Sequence, residues 1–274
     1  MKDILDQGAV LYGIRAEKYS DAKCYGIVIT ASCDIAQRKV SKVYYLIGVD
    51  AKDWFCSNVG FQHTYECKIK SLRNNLKNQL KLHKLDADLL INFQKKEIEQ
   101  VVLSEVKKQA DAKKIIQTCL DIQKFSSAVK DIEFRHNAIK SDTAPINKFL
   151  SEVSKGKVLH YYFLPQDAYL GNRRKDAGLI IDLQEIGYMS IGDAQRIISP
   201  GIDFQCLSEE ERGLYNTSFW LESEDDFVYQ EGAIQSPWRE HLMQRFSNGF
   251  IRIGLDDATD EDYHQLANSI WQED

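Results

Sequence analysis

The first fifty residues carry apolar side chains in short blocks with a two-residue beat. Residues 9–14, 25–33 and 42–49 are rich in valine, isoleucine, leucine and tyrosine, and polar turns around Ser20-Asp21 and Gln37-Arg38-Lys39 separate them. Short strands joined by tight turns predict an antiparallel, curled sheet. From Ile69 the beat lengthens to that of a helix. Ile69, Leu72, Leu76 and Leu80 share one face, followed by Leu90, Phe93 and Val101, then by Ala112, Ile115, Ile116, Cys119 and Ile122. This predicts two or three packed helices, with Asp86 as the N-cap of the second and a break near Ser104 or Asp111 before the third. No proline precedes Pro145, so long helices are permitted.

Strand character returns after Pro145, at residues 157–164, where Pro165 stops it, and at 178–183. The acidic stretch 222–231 reads as an exposed loop. Ser236-Pro237 then sets a capping hydroxyl before a proline at a helix start. A strand is expected at 250–253, and a last amphipathic helix from Thr259, with Tyr263, Leu266, Ile270 and Trp271 as its buried stripe. The expected fold class is therefore α+β, a curled antiparallel sheet interrupted by a helical insertion, with C-terminal helices. Residues 1–67 form the N-terminal part of the β core and 68–150 a basic helical insertion. Residues 151–274 complete the core with an acidic loop and two helices.

Charge sharpens this division. The net charge is −6 over 274 residues, but 68–148 holds 17 basic and 10 acidic residues, whereas 149–274 holds 10 basic and 23 acidic. The basic middle is either a set of solvated lysine faces or a surface for nucleic acid. No apolar run is long enough to cross a bilayer and the N-terminus lacks a signal-peptide core, so no membrane partner and a cytoplasmic location are expected. Six scattered cysteines without a C-x-x-C pair read as free thiols.

Chemistry gathers at the end of the second block. Strand alternation puts Tyr25, Ile27, Ile29, Ala31 and Cys33 on one face, and Gly26, Val28, Thr30, Ser32 and Asp34 on the other. Cys33 then faces the core, while Thr30, Ser32 and Asp34 make a polar ladder able to receive a ligand. A nucleophilic Cys33 requires a base such as His63 or His160. On the helix after Pro237, with Trp238 at zero, Leu242 falls near about 40° and Phe246 near about 80°, while Arg239 at about 100° and Arg245 at about −20° border that stripe. Arginines so placed pair with a core carboxylate such as Asp34 or Asp182, reach for water, or bind an anion. Arg252, alternating away from Ile251 and Ile253, joins the same cluster.

Other constellations carry less. Cys56, His63 and Cys67 have intervals that suit no common zinc knuckle. Glu66-Cys67-Lys68, with Asp50 or Asp53 upstream, has the E-x-K shape of metal-dependent nucleases. The basic turn at 171–175 lacks the strand-to-helix setting of a phosphate loop.

The run G-I-V-I-T-A-S-C-D-I at 26–35, Tyr162-Phe163-Leu164-Pro165, and S-P-W-R-E, Q-R-F and R-I-G from 236 to 254 together resemble a group of uncharacterised bacterial proteins associated with anti-phage defence loci. The first sheet also resembles the SH3-like barrel of the PemK and MazF toxins, which makes such a barrel the alternative form of the curled sheet. The first resemblance implies an accessory or sensor subunit of a bacterial defence system; no cofactor is expected. From the charge and face patterns above, it would bind another protein subunit, or nucleic acid through 68–148, and its ligand or partner contacts would be Thr30, Ser32, Cys33, Asp34, Arg239, Arg245 and Arg252. The alternatives are a toxin-like or metal-dependent nuclease and a cysteine hydrolase using Cys33.

Overall fold

A computed structural model describes residues 5–83, 85–129, 131–171, 178–198, 200–215 and 218–251. β1 (Ala9–Ile14) pairs antiparallel with β2 (Cys24–Val28), and after the short α1 (Ser32–Ala36) β3 (Lys42–Asp50) returns beside β2. The next described elements are all helical: α2 (Ala51–Cys56), α3 (Asn58–Leu80), α4 (Ala87–Ile91), α5 (Lys95–Glu105), α6 (Gln109–Ala128), α7 (Ile132–Ser141) and α8 (Ala144–Ser154). The C-terminal part supplies β4 (Tyr161–Leu164), β5 (Tyr169–Gly171), β6 (Leu179–Ser190) and α9 (Ile191–Ile198). After β7 (Ile202–Asp203) and α10 (Glu209–Tyr215) come β8 (Phe227–Ile234) and α11 (Trp238–Ile251).

The strands form one antiparallel sheet in the order β4-β6-β3-β2-β1-β8-β5, with β7 paired to β8. The sheet curls through register shifts on β1, β3 and β6, but does not close into a barrel. β6 lies beside β3 and β8 beside β1, so the strands before and after the helices share one sheet. The architecture is α+β, with the helices of residues 51–154 inserted between two halves of a common core.

Alternation along the strands divides the core into two layers. One face, with Leu11, Ile14, Val28, Tyr45, Ile47 and Ile180, packs on residues of α2, α8 and α9 around Trp54. Trp54 is fully buried, stacked on Phe149 at 4.9 Å and edge-on to Tyr161 at 5.1 Å, so it joins α2, α8 and β4. The opposite face, with Val10, Tyr25, Ile27, Leu46, Tyr162 and Ile181, is covered by Leu242, Met243 and Phe246 of α11. Gly60 near the start of α3 is required by contact. A Cβ there would lie 1.9 Å from the Trp54 carbonyl oxygen.

The far end of the helical region has a core of its own. Leu76, Leu80, Leu90, Ile98, Val102, Ile115, Cys119 and Ile122, from α3 to α6, bury one another without any strand residue. At 23 residues α3 extends about 34 Å, long enough to carry this cluster away from the sheet. A second cluster, Phe61, Tyr65, Phe125, Ala128 and Ala138, links the two ends of the arm.

Several expected elements differ. The strand expected over 25–33 ends at Val28, and Ser32-Cys33-Asp34 belong to α1. The second helical pattern is two helices, α4 and α5, although Asp86 caps α4 as expected, accepting from the Leu89 amide at 2.8 Å. The helices also begin before Lys68, at Ala51. Residues 227–231, expected as exposed loop, lie in β8, where Val228 and Glu231 are buried. Phe250 and Ile251 end α11 instead of opening a strand. The last helix, from Thr259, lies outside the described residues.

Because Trp54 ties three elements together, Trp54→Ala should lower stability by about 3–5 kcal/mol in urea unfolding. A loss below about 1 kcal/mol would show that the stack can be dispensed with.

Candidate functional site

The turn after β2 disposes its polar residues differently from a ladder. Thr30 Oγ1 accepts the Tyr44 amide at 2.7 Å, and Ser32 Oγ accepts the Gln7 amide at 2.9 Å. Both hydroxyls therefore stitch β3 and the entry to β1 onto the end of β2. Cys33 is exposed, not inward-facing, because the chain has already turned into α1. Its Sγ lies 3.5 Å from Asp34 Oδ1, whereas His63, one of its two candidate bases, packs on Tyr161 at 5.2 Å.

The arginines do not gather on Asp34 or Asp182. Arg239 donates to Glu240 at 2.6 and 3.1 Å and packs over Gly8, while Arg245 donates to the Val158 carbonyl at 3.3 Å. Six residues along a helix also separate them by about 9 Å and about 120°. Arg252 lies outside the described residues.

The tip of β2 nevertheless borders a surface with binding character. Tyr44 is joined to it on both sides, because its amide donates to Thr30 Oγ1 and its carbonyl accepts from the Ile29 amide at 3.0 Å. With both groups spent toward β2, Tyr44 and its partner Tyr188 on β6 form a non-hydrogen-bonded pair. The Tyr188 amide and carbonyl therefore point to the outer edge of β6, as do those of Ile186 and Ser190 by the two-residue period. β4 pairs with β6 only over 179–182, and the Leu183 amide reaches the His160 carbonyl at 2.8 Å. Beyond Leu183, no strand among the described residues covers this edge.

Apolar side chains rise beside these backbone groups. Tyr44, Ile186 and Tyr188 are 44%, 42% and 53% exposed. The tyrosine rings lie 6.2 Å apart, and Lys42 Nζ sits 3.8 Å above the Tyr188 ring. Among the described residues the result is an uncovered strand edge with an aromatic flank beside Lys42.

On the other face, where β6 parts from β4, lies a buried polar knot. Asp182, 1% exposed, accepts from Tyr19 Oη at 2.7 Å and from Lys18 Nζ at 2.6 Å, and its other oxygen accepts the Gln184 amide at 3.0 Å. Burial pulls the Lys18 ammonium down, but Asp182 more than reverses this and holds it above its ordinary value. Burial, reinforced by the Asp182 charge, pushes the Tyr19 and Tyr161 phenols up. These groups remain Lys18 cation and neutral tyrosines at pH 7. A lysine at position 18 and an aspartate at 182 carry no spacing signal, so the pair escapes sequence reading. Asp182 stands out in the sequence only as a polar residue inside an apolar strand.

Glu66 and Lys68 sit on α3, about 200° apart around it, and turn to Lys70 and Asp142 respectively. The E-x-K pattern thus has no common focus, and Asp50 instead caps α2 through the Lys52 amide. Cys56 is buried and Cys67 exposed. Among the described residues no three His, Cys, Asp or Glu side chains form a group able to hold a metal ion, and no helix is long and apolar enough to cross a membrane. The chain matches no protein-family model, no curated protein and no solved structure.

Packing of the His63 ring against Trp54, Phe149 and Tyr161 lowers its pKa by desolvation, with His160 and Lys18 adding positive charge nearby. The unfolded chain then binds the His63 proton more readily, so stability falls as pH drops below the ordinary value of 6.5. NMR titration should place His63 below 6.5, and His63→Phe should reduce the loss of thermal stability on acidification. A His63 pKa at or above 6.5 would contradict this.

Proposed function

We propose that this chain is an interaction subunit that docks a protein partner by strand addition along residues 186–190, in the setting of an accessory or sensor component of a bacterial anti-phage defence system. The observation that carries the docking reading is the open edge of β6, where the Ile186 and Tyr188 backbone groups face outward beside exposed side chains. Strand addition draws its affinity from main-chain hydrogen bonds and its specificity from alternate side chains. Here the matching segment is extended, places apolar residues against Ile186 and Tyr188, and sets an acidic residue near Lys42. The defence setting rests on the resemblance in residues 26–35, 162–165 and 236–254 alone.

A second reading is favoured by α3. Lys70, Arg73, Lys77 and Lys81 fall within about 80° on one exposed flank of the helix, beside the row of Leu72, Leu76 and Leu80. Lys70 and Lys77 are paired with Glu66 and Asp88, so the nucleic-acid capacity of this stripe depends most on Arg73 and Lys81.

Two measurements separate these readings. Proteins encoded beside this gene, co-expressed with it, should include one that co-purifies with the wild type and binds Ile186→Lys/Tyr188→Lys at least about 30-fold more weakly. Undiminished binding by that variant would place docking elsewhere. If the arm binds nucleic acid, Arg73→Ser/Lys81→Ser should make the dependence of log affinity on log salt shallower by about 0.9 for each duplex phosphate no longer neutralised. An unchanged slope would leave α3 a solvated face.

A further inference from the structure

At the end of the sheet away from the β3–β6 ribbon, a cavity of about 480 Å³ is lined by Tyr12, Gly13, Lys23, Trp220, Phe227 and Tyr229, together with Asp225 and Asp226. That volume lies within the range of small-molecule sites. Its floor is an aromatic row across β1 and β8. The Tyr12 and Tyr229 rings are 5.5 Å apart, and the Phe227 and Tyr229 rings also 5.5 Å. The wall is held in place by backbone. Gly13, at φ +84°, carries a register shift of β1, and its carbonyl accepts the Trp220 amide at 2.7 Å. A Cβ at Gly13 would meet the Phe227 carbonyl oxygen at 2.8 Å, so only glycine allows these walls to approach. Arg15, in ion pair with Glu222, lies 5.4 Å from the centre of the Trp220 ring.

The charge at the cavity is equally constructed. Asp226 is 9% exposed, and its Oδ2 accepts from the Glu222 and Ser223 amides and the Ser223 hydroxyl at 2.8–3.1 Å. Burial raises its pKa, but those hydrogen bonds and Lys23 outweigh burial and keep it a carboxylate. Its second oxygen, Oδ1, faces the Lys23 ammonium at 3.7 Å, beyond hydrogen-bond length. The same ammonium stands 6.0 Å from the Tyr12 ring centre, on a side chain that is 51% exposed. An ammonium group thus already stands, loosely held, where ring faces and a buried carboxylate converge.

We propose that this cavity is a binding site for an alkylammonium group, which displaces Lys23 and lodges between the Tyr12–Tyr229–Phe227 rings and Asp226, with Asp225 at the rim. Aromatic faces attract cations through their ring quadrupole, and a desolvated carboxylate supplies the countercharge. The group can come from a free amine or from a lysine side chain of a peptide. The site is separate from the β6 edge, so it stands or falls independently of the docking reading.

The test uses the full chain, with tryptophan fluorescence and Trp220→Phe as the reporter control. Choline and putrescine represent free amines, and a trimethyllysine peptide represents the peptide source. At least one should bind saturably, and its signal should vanish in Trp220→Phe. Lys23→Met should tighten binding about 3- to 10-fold by removing the internal competitor, and Asp225→Asn should weaken it about 3-fold or more. Preference for the peptide over both free amines would assign the site to a protein ligand, and the reverse to a small molecule. The proposal is overturned if none of the three binds in the wild type and in Lys23→Met. Equal affinity for 3,3-dimethylbutan-1-ol, the uncharged counterpart of choline, would also overturn it.

Discussion

The buried carboxylate of Asp182 is the constraint around which the sheet is arranged. A charge at 1% exposure is tolerated only when its hydrogen-bonding capacity is met. Lys18 and Tyr19 meet it from the segment after β1, and the Gln184 amide meets it from its own strand. The last of these bonds folds residues 183–185 out of register, since β3 passes directly from partner Ile186 at Leu46 to partner Asp182 at Ile47. At that point β6 parts from β4. One buried polar group thus joins the N-terminal half of the core to the C-terminal half and is coupled to the exposure of the β6 edge.

The two faces of the sheet divide the remaining work. On the Trp54 face the aromatic stack secures α2, α8 and β4, so the long helical insertion is anchored at both of its ends. Beyond that anchor the arm is stabilised by its own apolar cluster, which leaves its lysine-rich outer faces available to solvent or a partner. On the opposite face α11 crosses part of the sheet and packs on Tyr162 and Leu164. The flanking positions, Tyr44 and Tyr188 in one direction and Tyr12 and Tyr229 in another, are where aromatic side chains remain half-buried or exposed. The surfaces with binding character therefore lie at the margins of the helical cover.

Much of the secondary structure is legible in the sequence because it follows from local rules. The two-residue beat locates β1 and β3, the lengthened beat locates α3 and α6, and the Asp86 side chain marks the start of α4. The end of β2 is not legible. Ile29 to Cys33 has β-forming composition, yet the Thr30 and Ser32 side chains bind the Tyr44 and Gln7 amides and turn the chain, through partners 14 and 25 positions away. The same is true of the acidic stretch near the C-terminal end. Its charge predicts a loop, but pairing with β7 and β1 makes residues 227–231 part of a strand.

An α+β chain with a helical insertion, free thiols and an uneven charge follows from the order of residues alone, because periodicity, caps and composition act over a few positions. The choice of neighbours belongs to the tertiary structure. It sets Asp182 against Lys18 across 164 residues, sends Arg239 and Arg245 to separate partners, and places Cys33 in solvent. Among the described residues it also leaves the outer edge of β6 beyond Leu183 uncovered by a strand, and it brings Lys23 to Asp226 over an aromatic floor. Such pairings depend on sheet order and on which side chains share a face, and local patterning along the chain encodes neither.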